Sequence, residues 1–69
     1  MLPALPAEDA YALARRLEPH LPLIKSRTLN AFYDALRRGR PYAHYLAALH
    51  EEAQQDYRLH RLLAHIIPS

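Results

Sequence analysis

One segment contains both a predicted helix and its stop signal: Leu29-Asn30-Ala31-Phe32-Tyr33-Asp34-Ala35-Leu36-Arg37-Arg38-Gly39-Arg40-Pro41. Its large apolar residues recur at intervals of three and four, which places them on one face of an α-helix. They are Leu29, Phe32, Tyr33 and Leu36. Gly39 fits the left-handed position just past a helix end, and Pro41 suits the first turn of a following helix. The segment therefore predicts a helical hairpin.

The same spacing of apolar residues recurs on either side of this segment, so the sequence predicts an all-α unit of three helices. The predicted helices span residues 6–17, 22–38 and 41–67. The third is long because no Gly or Pro interrupts it before Pro68, and the sequence leaves open a break of this helix near Gln54–Gln55. Residues 1–5 are expected to form an extended N-terminal arm, since proline resists an early helix. Residues 6–67 are then expected to form a single helical domain.

The composition of the 69 residues excludes several classes of protein. Valine is absent and only one Thr is present, which argues against most β architectures. The chain has no Cys, so it has no disulfide and no thiolate ligand. A single Gly excludes the Gly-rich loops that bind phosphates. With 51% hydrophobic residues, the chain is also too apolar for ordinary disorder.

The third predicted helix is longer than its neighbours, about 40 Å against about 25 Å for the second. In an antiparallel hairpin its last residues would extend beyond the second helix. That overhang carries a dense apolar cluster: Leu59, Leu62, Leu63, Ile66 and Ile67. Because cores of this size supply only about 3–5 kcal/mol, a partner chain is the expected source of further stabilisation. We expect a small association module that forms a homo-oligomer, first of all a dimer, or docks on a larger protein through these five residues. A closed three-helix monomer is the alternative.

Catalytic and metal-binding patterns are weak. Glu52, Asp56 and His60 would share one face of a continuous third helix and could present ligands to a metal. A solvated face with helix-spaced charge pairs explains the same spacing, and we prefer this interpretation. The two serines, Ser26 and Ser69, lack the surroundings of a catalytic nucleophile. We therefore expect no enzymatic activity, no cofactor and no metal.

A second functional hypothesis starts from the turn between the second and third helices. Its residues Arg38-Gly39-Arg40-Pro41 are similar to the Arg-Gly-Arg-Pro core of the AT-hook, an element that binds the A·T minor groove. The same residues also fit a helix end followed by a helix start. Three arginines cluster there: Arg37, Arg38 and Arg40. The alternative function is therefore a basic nucleic-acid-binding regulator that uses these arginines, although a net charge of +2 is mild for that class.

The remaining expectations concern location and the tyrosines. The first residues lack the basic region and the long apolar run of a secretory signal, and no segment is apolar enough to span a bilayer. We therefore expect a cytoplasmic protein without a membrane partner. The five tyrosines fit interface and core positions equally well, since tyrosine buries area and keeps a polar tip. They are Tyr11, Tyr33, Tyr42, Tyr45 and Tyr57.

Overall fold

The computed structural model describes residues 7–66, which form four α-helices and a short 3-10 turn. The helices are α1 (Ala7–Leu17), α2 (Arg27–Arg38), α3 (Ala43–Ala53) and α4 (Tyr57–Ile66), and the 3-10 turn (Glu18–His20) follows α1. This part of the chain contains no strand. The predicted all-α class is confirmed, whereas the number of helices differs. The predicted arm, residues 1–5, and the predicted interface residue Ile67 lie outside the described residues.

Helix α1 agrees with the first predicted helix over its described residues. Its first turn is acidic and its last turn is basic. Both placements are favourable because the helix dipole is positive at the N-terminus and negative at the C-terminus. The buried side of the helix consists of Ala10, Ala14 and Leu17. Small side chains on this side bring the helix close to its neighbours.

Helix α2 begins at Arg27, later than the predicted start at residue 22. The chain before it makes a turn in which the Ile24 amide donates to the His20 carbonyl at 2.9 Å. This turn places the Ile24 side chain in the core. Ser26 then caps the helix, because its Oγ accepts a hydrogen bond from the Leu29 amide at 3.2 Å. Serine is among the preferred N-cap residues, so Ser26 was the signal for the true start.

Helix α2 ends at Arg38, as predicted, and Gly39 is its C-cap. This residue has a φ of 68°, and its amide donates to the Ala35 carbonyl. The Arg40 amide donates to the same carbonyl at 2.9 Å. These bonds satisfy an end carbonyl that has no partner within the helix. Pro41 lies before α3 rather than in its first turn, since α3 begins at Ala43.

The predicted continuous helix over residues 41–67 is wrong, because the chain turns between α3 and α4. The amides of Gln54 and Gln55 donate to carbonyls three residues earlier, at 3.2 and 3.0 Å, so the end of α3 tightens. Asp56 then caps α4: its Oδ1 accepts a hydrogen bond from the Arg58 amide at 3.0 Å. Aspartate is a favoured N-cap residue, so α4 has a start signal of its own.

The α3–α4 turn changes which side of the chain faces inward. In a continuous helix, Tyr57 would share a face with Ala53, four residues earlier. Instead Ala53 is buried and Tyr57 is 71% exposed. Helix α4 packs on α3 and also contacts α1, while α2 contacts both α1 and α3. The four helices thus close into a bundle.

All four helices contribute to one apolar core. The largest fully buried side chains are Phe32, Leu17, Leu29, Leu49 and Leu59. The Phe32 ring meets the Tyr42 ring edge to face, with the centroids 5.9 Å apart. Within residues 7–66, no polar or charged residue is buried. The core therefore leaves the charged residues on the surface, where any binding site must lie.

Candidate binding surfaces

Four of the five residues predicted to contact a partner lie in the core of the chain itself. Leu59, Leu62, Leu63 and Ile66 are 2–4% exposed. The prediction placed them on an overhang of a long helix, and that overhang does not exist because α4 folds back on α3 and α1. These side chains therefore stabilise the core of their own chain and do not form the exposed cluster that was expected to bind a partner.

A groove lies between α4 and the connector that precedes α2, and we call it the α4 groove. Its volume is about 360 Å³. Its walls are formed by His20, Leu23, Ile24, Arg58, Arg61, Leu62 and His65. Ile24 and Leu62 belong to the core, whereas Leu23 is 70% exposed. The groove therefore offers an apolar floor that is continuous with the core and an additional exposed leucine.

The rim of the α4 groove is cationic. Arg58 and Arg61 lie three residues apart, so they are neighbours on the surface of α4. Among the described residues, no carboxylate lines the groove. Asp56 approaches Arg58 from outside, with 3.9 Å between Oδ1 and Nε, and the Arg58 side chain stays 70% exposed. Arg61 also lies 5.8 Å from the centroid of the exposed Tyr57 ring, within cation–π range. This surface suits a ligand that is both apolar and negatively charged.

A second concavity lies between α1 and α2, and we call it the α1–α2 cleft. Its volume is about 410 Å³. It is lined by Tyr11, Ala14, Arg15, Glu18, Tyr33 and Arg37. The Arg37 Cζ lies 5.7 Å from the centroid of the Tyr33 ring. Two phenol rings, two guanidinium groups and one carboxylate thus meet in a single cleft.

The three arginines predicted to bind nucleic acid are exposed, and the structure directs them to different neighbours. Arg37 lines the α1–α2 cleft. Arg38 pairs with Asp34, with 3.0 Å between Nε and Oδ1. Arg40 lines a separate depression, which contains Asp34 as well. The arginine-rich turn is therefore not one convergent cationic cluster, and Gly39 within it ends α2.

The shared face of Glu52, Asp56 and His60, which was weighed as a possible set of metal ligands and not preferred, does not form because the third predicted helix is broken. Glu52 lies on α3, His60 lies on α4, and Asp56 caps α4 between them. Glu52 instead accepts hydrogen bonds from two hydroxyls at the start of α2: Ser26 Oγ, at 3.2 Å, and Thr28 Oγ1. Within residues 7–66, no group of three or more His, Asp or Glu is arranged to hold a metal ion.

Several residues of both concavities were missed at the level of the sequence. Leu23 was assigned to the second helix, although only one of the adjacent Leu23 and Ile24 reaches the core. Tyr11 was predicted only as an interface or core residue, without a site; it lies outside the apolar spacing of α1 and is 50% exposed. An aromatic residue that falls outside the periodic face of its helix was the available signal for the cleft.

Two further findings concern membrane-spanning segments and similarity to known proteins. Among the described residues, no helix has the length and apolar character needed to cross a bilayer. Comparison of the chain with protein-family models, curated proteins and solved structures found no match.

Proposed function

We propose that this protein is a small non-enzymatic association module that docks an acidic amphipathic segment of another protein in the α4 groove. One observation carries the proposal: the exposed Leu23 and the apolar floor of the groove are bordered by Arg58 and Arg61. Of the four described residues that were predicted to contact a partner, Leu62 alone lines this groove, and the exposed Arg58 and Arg61 of α4 border it.

The form of the groove favours a helical segment as its occupant. Amphipathic helices bind in apolar grooves through anchoring residues spaced three or four apart. A volume of about 360 Å³ is near the lower end of the range of small-molecule pockets, about 300–1,000 Å³, so it suits anchoring side chains. Acidic residues flanking those anchors would meet the two arginines. Such complementarity raises the association rate and selects among partners.

A second copy of the chain is a poor occupant of the same groove. In a symmetric dimer, both copies would present Arg58 and Arg61 to each other. Like charges across an interface cost several kcal/mol. We therefore expect the pure protein to sediment with the mass of one chain at micromolar concentration. A two-chain mass that Leu23→Asp abolishes would make the second copy the occupant instead.

The test is fluorescence anisotropy with a labelled model peptide that has leucines at helical spacing and glutamates elsewhere. We expect the protein to bind this peptide and to ignore a peptide of equal composition in which the spacing is scrambled. Leu23→Asp should weaken binding by about 30-fold or more, since central interface residues contribute about 2 kcal/mol or more. Leu23 is exposed, so this change should leave the fold intact.

Two control variants make the test specific. Ala47→Asp adds the same charge at an exposed position of α3 and should leave peptide binding unchanged. Arg61→Gln should slow association and reduce its salt dependence, whereas Arg16→Gln, which removes an arginine outside the groove, should not. Equal binding of the scrambled peptide, or equal effects of Leu23→Asp and Ala47→Asp, would refute the proposal.

Nucleic-acid binding through Arg37, Arg38 and Arg40 stays a prediction, and one observation favours it as a second function. Arg37 lies beside the Tyr33 ring in the α1–α2 cleft, and arginine with aromatic rings is typical of surfaces that bind single strands. Replacing all three arginines by glutamine should abolish binding of nucleic acid and leave peptide binding in the α4 groove unchanged.

A further inference from the structure

The α1–α2 cleft combines the groups that recognise the two ends of a nucleotide. We propose that it binds one nucleotide unit, with the base stacked on Tyr11 and Tyr33 and the phosphate held by Arg15 and Arg37. The site is distinct from the α4 groove, because the two concavities share no lining residue. The ligand chemistry is the same for a free mononucleotide and for one unit of a single strand.

The aromatic half of the site is built from side chains on two different helices. Tyr11 lies on α1 and is 50% exposed, so its ring is accessible to a ligand. Tyr33 lies on α2, is half-buried and packs against the core, which holds its ring in place. Bases stack on such rings with little dependence on sequence, because every base has a π-face.

The cationic half of the site lies beside the aromatic half. Arg15 and Arg37 face the cleft from α1 and α2. Because Arg37 Cζ is 5.7 Å from the Tyr33 centroid, the cation and the ring are within reach of one nucleotide. Guanidinium groups bind phosphate oxygens through paired, charge-assisted hydrogen bonds. The volume of about 410 Å³ falls within the range of ligand pockets, about 300–1,000 Å³.

Glu18 limits which nucleotides the cleft accepts. Its carboxylate lines the cleft together with the two arginines, so one net positive charge remains. One such charge matches a monophosphate or a phosphodiester better than a triphosphate. A carboxylate also accepts hydrogen bonds from the amino groups on base edges. A base with an amino group at its edge, such as adenine, can therefore donate to Glu18 while its phosphate binds the arginines.

The experiment measures the anisotropy of a fluorescent single-stranded oligoadenylate mixed with the full chain at low ionic strength. Tyr11→Leu should weaken binding roughly 5- to 150-fold, the factor that corresponds to the loss of one base–aromatic stack. Tyr57→Leu is the matched control, since Tyr57 is an exposed helical tyrosine outside the cleft. Arg15→Gln should weaken binding, whereas Arg16→Gln, the same loss of charge one residue away, should have little effect.

Competitors identify the source of the nucleotide. Adenosine monophosphate that displaces the oligonucleotide indicates a free nucleotide as the ligand, and binding of the oligonucleotide alone indicates a single strand; either supports the proposal. Three results would overturn it. They are displacement by inorganic phosphate as efficient as by adenosine monophosphate, equal affinity for a duplex whose bases are stacked inside, and equal losses in Arg15→Gln and Arg16→Gln. Leu23→Asp should leave this binding unchanged, which separates the site from the α4 groove.

Discussion

The α2–α3 turn and the α3–α4 turn join consecutive helices by different means. The first contains Gly39, which adopts a positive φ, and Pro41. The second contains Gln54, Gln55 and Asp56, none of which disrupts a helix as Gly or Pro does. The first turn is therefore encoded by backbone conformation, whereas the second depends on a capping side chain and on what the chain buries afterwards.

The α3–α4 turn forms because a straight helix would leave apolar side chains in water. Leu59, Leu62, Leu63 and Ile66 are all buried once α4 folds back. Burial of each such side chain contributes about 1.5–3 kcal/mol. That gain exceeds the free-energy cost of interrupting the helix, because the end of α3 is tightened and the start of α4 is capped. Local preferences permit either a continuous helix or a turn, and tertiary packing favours the turn.

The largest effect on stability is expected from Leu63→Asp, because this change removes part of the apolar burial that favours the α3–α4 turn. Truncation of a buried leucine costs about 2–5 kcal/mol, and burial of an unpaired carboxylate adds to this. A domain of this size has only about 3–5 kcal/mol of net stability. We therefore expect the variant to be unfolded, as measured by loss of the far-ultraviolet helical signal.

The control for this change is the next residue. Ala64 is exposed on α4, so Ala64→Asp should alter stability by no more than about 0.5 kcal/mol. Equal melting of the two variants would show that α4 does not pack as described.

A smaller effect is expected at the first turn from Gly39→Ala. A Cβ at this position would meet no atom within 4 Å, so only the backbone conformation opposes the change. An L-residue in the left-handed region costs about 1–2 kcal/mol. We expect the melting temperature to fall by about 4–8 °C for each kcal/mol lost in a chain of this length. Gly39→Asn should cost less, since asparagine tolerates this region; an unchanged melting temperature in Gly39→Ala would contradict the assignment.

The same contrast explains which parts of the fold could be predicted from sequence. The end of α2 was predictable because Gly39 and the following Pro41 leave few alternatives. The start of α2 and the α3–α4 turn were not predictable, because serine and aspartate also occur within helices. Only the packed structure shows that Ser26 and Asp56 act as caps. Leu63 was predicted to contact another chain, whereas it is buried in the core of its own chain.

In the α1–α2 cleft, Arg37 was predicted to bind nucleic acid, and Tyr11 and Tyr33 were predicted to fill interface or core positions, but their meeting was not predicted. Tyr11 and Tyr33 come together only when α1 packs against α2. Leu23 and Arg61 likewise line one groove only because the connector that contains Leu23, predicted to be helical, packs beside α4. Such sites depend on tertiary packing between segments that are distant in the chain, so periodicity within one helix could not reveal them.

The smallest effect is expected from Asp56→Ala at the second turn, and this variant separates capping from packing. Loss of an aspartate N-cap costs about 0.5–2 kcal/mol, so the protein should stay folded while α4 opens more often. Hydrogen exchange should therefore accelerate first at the Arg58 amide, which donates to Asp56 Oδ1. Asp56→Asn retains a capping oxygen and should restore most of the protection, because asparagine caps about as well as aspartate. If Asp56→Asn exchanged as fast as Asp56→Ala, the charge near Arg58 rather than the cap would be the origin of the effect. If neither variant changed exchange in α4, packing alone would stabilise the α3–α4 turn, whereas the α2–α3 turn depends on the backbone conformation of Gly39.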